Sequence, residues 1–253
     1  MKKTLRAIRK YRRKLRRQLR QRREAKSGGQ AKNTLPRIRY LKKLIAKMVR
    51  RKSKIEASNR EGIDWAFGDV SPEVMLANGK TFACRYLSHD ESKSLSVKEA
   101  IRYSRAGIDL VVVWEDGGEG ARSGYPKGQS DANTALAKAR LLGKPHDAPI
   151  FFAVDFDAAG PEIESYFKGV ASILGDRAGI YAGLDAVEYI LDRKIVSWAW
   201  QTYAWSNHHW DKRAHLKQVL ITLPGAELIM DGVRVDYDKS TAVNFGQWKS
   251  ELA

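Results

Sequence analysis

One cysteine, Cys84, stands among 253 residues, which excludes an intramolecular disulfide framework and any cysteine-based zinc finger. It sits in the strand-like run Phe82-Ala83-Cys84-Arg85-Tyr86 and reads as a small buried hydrophobe. No run of 18 apolar residues exists, so no transmembrane helix is expected. The N-terminus opens with positive charge, but Arg and Lys separate Leu5, Ile8, Tyr11 and Leu15. The apolar stretch of a signal peptide is missing, so the chain is expected to be made in the cytoplasm without a Sec signal, any export using another route. HExxH, GxSxG and P-loop motifs are absent, and no glycine fingerprint for a nucleotide follows the first strand. No cofactor is expected. His208-His209 fall in a Ser-Asn-rich loop that reads as solvent-facing, and no histidine pattern supports a metal site.

Acids are scarce in one part of the chain. Residues 1–60 hold 25 Lys and Arg against Glu24 and Glu56, a net of +23, while residues 61–253 carry a net of −6. The overall +17 therefore describes neither part, and a cationic arm (1–60) joined to a mildly acidic globular domain (61–253) is expected. In the arm, Leu5, Ile8, Tyr11, Leu15 and Leu19 recur at helical spacing, Ser27-Gly28-Gly29 reads as a break, and Pro36 suits the first turn of a second helix. Ile38, Leu41, Leu44, Ile45, Met48 and Val49 form its apolar stripe through about Arg51. Two basic amphipathic helices fit three roles: a solvated tail, a docking element, or an arm for an anionic polymer of wall, membrane surface or nucleic acid.

The aromatics, all but Tyr11 and Tyr40, lie after residue 60, and about 190 residues suffice for one substantial core. Strand-like runs occur at 62–66, 81–87, 108–114, 149–154, 179–182, 196–202, 215–220 and 233–236. Helical patterns lie between several of them, at about 71–78, 96–106, 128–142, 160–174 and 184–193. Pro161 suits a first helical turn, and Gly107 and Gly175 suit helix ends. Eight strands alternating with helices argue for a parallel α/β architecture, here a compact (β/α)8 TIM-like barrel with shortened later units. Residues 221–232 read as an irregular loop or small hairpin. An open doubly wound sheet is the alternative.

In such barrels chemistry sits where strands end. Asp64, Glu115 with Asp116, Asp155 with Asp157, and Asp236 with Asp238 stand at four of these ends. Two of the ends share a Val-Asp-aromatic-Asp pattern. In a strand, residues i and i+2 point the same way, about 6–7 Å apart, so each pair is expected to face the mouth. Converging carboxylates repel, which raises at least one pKa and lets an acid and a carboxylate coexist at neutral pH. Trp65, Trp114, Trp198, Trp200, Gln201, Tyr203 and Trp205 are expected near the same ends, where rings suit the apolar faces of a sugar. Each acid taken alone reads equally as a helix cap or salt-bridge partner.

Several blocks occur in order: Gly62-Ile63-Asp64, Phe82 to Ser88, Val113-Trp114-Glu115, Ile150 to Asp157, Gly179-Ile180-Tyr181, Trp198 to Ser206, and Val235-Asp236-Tyr237-Asp238. Together the chain over about 61–248 resembles the glycoside-hydrolase-like family known as domain of unknown function 1906. That family is related in architecture to the Chalaropsis-type, family 25 lysozymes. The resemblance implies a TIM-like barrel acting on or binding a bacterial cell-wall glycan, as in a phage endolysin, reached by phage-type release or other non-Sec export. It maps the lysozyme acids onto Asp64, Asp155 with Asp157, and Asp236, with Asp157 standing where the lysozymes carry Glu. The expectation is a muramidase-type hydrolase. Asp157 or Glu115 would be its general acid, Asp155 its stabiliser, and Asp64 and Asp236 would tune the site. Trp65, Trp114, Gln201, Tyr203, Trp205 and Asp238 would hold substrate. A non-catalytic glycan-binding barrel and a nucleic-acid-binding virion protein are the rivals.

Overall fold

The structure, a computed structural model, describes residues 2–24, 28–220 and 225–253. The chain divides into two compact units, Met1–Ser58 and Asn59–Ala253.

The first unit is a pair of helices, α1 (Lys2–Glu24) and α2 (Gly28–Ala57). They pack along one another, with Ile8, Ile38 and Leu41 buried. Two expectations are corrected. Gly28 and Gly29 belong to α2 rather than to a break (Ser27 lies outside the described residues), and Pro36 is inside α2, not in its first turn. The apolar spacing starts only at Ile38, so the first turns of α2 carry no periodic signal. A proline within a helix forfeits one backbone bond, which made a start at Pro36 the natural reading.

The second unit runs β1 (Glu61–Asp64), α3 (Pro72–Ala77), β2 (Phe82–Leu87), α4 (Val97–Ala106), β3 (Asp109–Trp114), α5 (Gly124–Leu141), β4 (Ile150–Ala153), α6 (Gly160–Leu174), β5 (Ala178–Ala182), α7 (Leu184–Asp192), β6 (Trp198–Thr202), β7 (Leu216–Leu220), β8 (Ile229–Met230), β9 (Val233–Arg234) and β10 (Asp236–Ser240). Local chemistry sets the helix ends. Ser96 and Glu99 form a reciprocal capping box at the start of α4, and Gly107 closes it at φ 89°. Pro161 lies in the first turn of α6.

Eight strands close into a barrel in the order β1-β10-β7-β6-β5-β4-β3-β2. Side-chain alternation builds two cores. Phe82, Cys84, Val111, Val113, Phe151, Tyr181, Trp200 and Leu216 form the inner cluster. Ile63, Leu110, Val112, Ile150, Phe152 and Ile180 belong to the outer one, with apolar side chains of the surrounding helices. Gly62 leaves room for the inner layer, since a Cβ there would sit 2.3 Å from the Phe82 ring.

The parallel expectation fails at one strand. The last barrel strand is Asp236–Ser240 and not residues 233–236, and it runs antiparallel to both β1 and β7. Val233 and Arg234 instead form a two-stranded hairpin with Ile229 and Met230. Val233-Arg234-Val235 has the β-branched look of a barrel strand, but the reversed strand begins just after it. Residues 221–224 of the expected loop lie outside the described residues. No helix separates β6 from β7, in keeping with shortened later units. Among the described residues no helix is long and apolar enough to cross a membrane.

Candidate active site

Because β10 runs backwards, its first residue lies at the same mouth as the last residues of the parallel strands. Asp64 at the end of β1 pairs in register with Asp236 at the start of β10, and Gly62 pairs with Asp238 one layer below. Asp236 reaches the mouth as expected, but as the start of a reversed strand. Asp238 lies in the interior, 1% exposed, and offers no surface to a substrate.

Gln218, central in β7, joins the two upper carboxyls. Its Nε2 donates to Asp64 Oδ2 at 2.9 Å and to Asp236 Oδ2 at 3.1 Å. Its Oε1 accepts the hydroxyls of Tyr181 at 3.0 Å and Thr202 at 2.6 Å. Asp64 is 2% exposed. Burial first, then the neighbouring Asp236, raise its carboxyl to about 7, while hydrogen bonds from Gln218, Asp238 and Tyr86 pull it down. Asp238 is also pushed well up, by burial first and then by Asp64. Neither of its oxygens nor the indole N–H of the adjacent Trp200 has a partner in good hydrogen-bond geometry, and the weak pull of Trp200 does not offset the rise. Cys84 lies against the same acids, which with burial push its thiol up, so it stays a neutral buried group.

A cleft of about 500 Å³ opens onto Asp64 and Asp236. The loop after β1, with Trp65 and Phe67, walls one side, and Val233 and Arg234 of the hairpin wall another, with Tyr86 also lining it. Phe67 is 58% exposed and is the open ring of this cleft.

The remaining expected residues divide. Asp155 follows β4 rather than lying in it, so the i, i+2 argument does not apply to Asp155 and Asp157. Asp155 is exposed, yet surrounding protein raises its carboxyl above the usual range, against the pull of Lys93. It directly follows Val154, whose N–H donates to the Tyr181 carbonyl just past the end of β4, and it is not among the residues lining the cleft. Asp157 is exposed, and no contact of the described mouth includes it. Glu115 is held by Lys93 Nζ at 2.6 Å, and Lys93 also lies 4.4 Å over the Tyr86 ring. Trp114 is 1% exposed and belongs to the outer core, and Trp65 is 2% exposed beneath Arg85. Trp198 opens β6, at the end opposite the mouth, and packs on His215 at 4.6 Å. Gln201 is fully buried and spends its amide on the following loop: it donates to Ser206 Oγ and the His209 carbonyl and accepts from the Asp211 N–H. Tyr203 and Trp205 belong to that loop, Tyr203 against His208 and Trp205 36% exposed. Among the described residues no three His, Cys, Asp or Glu side chains group as metal ligands.

Gln218, Tyr86, Tyr181, Thr202 and Lys93 were not anticipated. Gln218 carried a usable signal: it shares a strand face with Leu216, so it is polar at an inward position of a buried strand.

A closed barrel with clustered carboxyls and a cleft at one mouth is the arrangement of a glycoside-hydrolase-like protein. The chain belongs to the family described as Rv2525c-like, glycoside hydrolase-like domain, whose profile matches residues 73–239. Among solved structures, the Tat-secreted protein Rv2525c of Mycobacterium tuberculosis, in complex with L-tartrate, is similar at TM-score 0.70 and 25% identity, over 75% of this chain and 98% of that one. The modular autolysin LytC of Streptococcus pneumoniae gives TM-score 0.54 at 13% identity, over 72% of this chain and 46% of that one. A family 25 glycosyl hydrolase from Bacillus anthracis gives 0.51 at 11%, over 74% and 93%. These last two likenesses are of fold. No curated protein sequence matches the chain.

Proposed function

We propose that the barrel hydrolyses a glycan of the bacterial cell wall, with Asp64 as the proton donor. The observation that carries this reading is the Asp64–Gln218–Asp236 bridge on the floor of the cleft. Burial, and then a second carboxyl sharing the same amide donor, disfavour ionisation of Asp64, so a proton is retained there to about pH 7. That proton passes to the glycosidic oxygen as the C–O bond breaks. The positive charge at the anomeric carbon is stabilised by a carboxylate of the mouth, Asp236 or Asp155. Water then adds there and returns a proton to Asp64. Phe67 offers a face to the sugar ring. A glycan as substrate is supported by the family, and the wall as its source by LytC, which has been solved in complex with a synthetic peptidoglycan ligand.

A second reading, glycan binding without cleavage, is favoured by two observations. The position after β4 that carries Glu in the lysozymes is here an exposed Asp157, and the alternative acid Glu115 is tied to Lys93. Reducing-sugar release from purified peptidoglycan of several wall chemotypes decides between them, with Asp64→Asn and Asp155→Asn alongside. Release by the natural chain that is lost in Asp64→Asn supports hydrolysis with this donor. Wall binding with no release supports the second reading, and release that survives Asp64→Asn overturns the assignment of the donor.

A further inference from the structure

The first unit has a surface that the barrel chemistry does not use. A groove of about 580 Å³ runs between α1 and α2. Lys14, Arg17 and Arg37 line it as cations, Tyr11 and Tyr40 as rings. Gln18 and Gln21 add amides, joined by a hydrogen bond of 2.9 Å from Gln18 Nε2 to Gln21 Oε1. Among the described residues no acid lines it. The unit that builds it, residues 1–58, carries 24 Lys and Arg against two acids.

Charge alone would suit any polyanion. The rings narrow the choice. Tyr40 is 63% exposed, so its ring contributes little to a core. Tyr11 lies with Lys14 Nζ 5.9 Å from its ring centroid, which places a cation beside a ring in the same groove. Phosphates tracking the cations while bases stack on rings is how a single strand is held without regard to sequence. A duplex keeps its bases stacked on each other and presents chiefly phosphates, leaving the tyrosines idle. A ring-free phosphate polymer or an anionic lipid surface leaves them idle too.

We propose that the α1–α2 groove is a binding site for single-stranded nucleic acid, with Arg17, Arg37 and Lys14 on phosphates and Tyr40 and Tyr11 under bases. The site is independent of the barrel's reaction. The test is fluorescence anisotropy of the full chain with a labelled oligo-dT of about 20 nucleotides. Competitors are inorganic polyphosphate of equal charge, the corresponding duplex, and vesicles of anionic phospholipid. The single strand is expected to bind most tightly, with an affinity that falls steeply with salt. Arg17→Ala and Arg37→Ala should each reduce the log–log salt slope by about 0.7. Tyr40→Ala should weaken the strand roughly 5- to 100-fold and leave polyphosphate unchanged, and Tyr40→Trp should restore it. Tyr40 is exposed, so helix content by circular dichroism should not move. Equal affinity for strand and polyphosphate, tighter binding to duplex or vesicles, or no effect of Tyr40→Ala would each overturn the proposal.

Discussion

Gln218 holds Asp64 with an amide whose orientation is already decided. The hydroxyls of Tyr181 and Thr202 occupy its Oε1, so its Nε2 can face only the two carboxyls, at 2.9 Å from Asp64 and 3.1 Å from Asp236. Gln218→Glu keeps the shape and substitutes a third acid for the shared donor. Under the proposed reaction, kcat/KM on peptidoglycan should fall at least about a hundredfold at pH 7, the scale of general acid catalysis. The residual profile should move to higher pH, because another carboxyl further disfavours ionisation of Asp64. A simple packing role would lower stability without moving the profile.

The same burial makes Asp64 a liability to folding at neutral pH. Its carboxyl titrates near 3.8 when unperturbed and at about 7 in the fold. Between those values the folded chain binds more protons than the unfolded one, so this contribution weakens as pH rises and levels off above 7. The full span is on the order of 4 kcal/mol. Asp64→Asn removes the charge and keeps an acceptor for Gln218. Urea unfolding should find it more stable than the natural chain at pH 8 by a few kcal/mol, with the gain shrinking toward zero at pH 4. A constant difference across pH 4, 6 and 8 would contradict this origin.

Much of this barrel was legible because apolar runs and helix punctuation speak locally. The five helices of the second unit and seven of the eight barrel strands fall where periodicity, Pro161, Gly107 and Gly175 place them. The eighth strand was misplaced because its direction is a tertiary property: Val233-Arg234-Val235 has the residue types of a strand whichever sheet it joins. Of the site, Asp64 and Asp236 come together at the cleft, while Asp155, just beyond the end of β4, does not line it. Asp157 parts from them because β4 stops at Ala153, so no strand remains to align it with Asp155. The tryptophans mislead for a different reason. A ring near a strand end can fill a core as readily as face a sugar, and Trp114 and Trp200 are buried. Gln218 and Lys93 escape notice because their importance lies in partners far off in the chain.

Lys93 pairs with Glu115 at 2.6 Å, and its charge lowers Asp155 against the rise caused by the surrounding protein. Lys93→Met keeps an unbranched stem and deletes the charge, including the ammonium over the Tyr86 ring. Asp155 should then titrate at higher pH, and with Asp155 as a working carboxylate the acidic limb of the pH–rate profile should shift upward. Heteronuclear NMR titration of the Asp155 carboxyl reads the same shift without turnover. An unchanged titration would show that Lys93 serves Glu115 alone.

Two glycines set how closely α5 and α6 approach behind β4. A Cβ at Gly128 would lie 2.1 Å from the Tyr166 carbonyl oxygen, and one at Gly169 would lie 2.2 Å from that of Tyr125. Both obstacles are backbone, so neither can turn aside; the helices must part. Parting them also strains the buried hydrogen bond from Tyr166 Oη to Asp131 at 2.8 Å. Gly128→Ala and Gly169→Ala should each cost about 1–3 kcal/mol in denaturant unfolding, as overpacked cores do. The double variant should cost less than the sum, because helices already spread by one methyl accommodate the second. Strict additivity would show that the two contacts relax separately and that this helix pair is softer than its backbone spacing indicates.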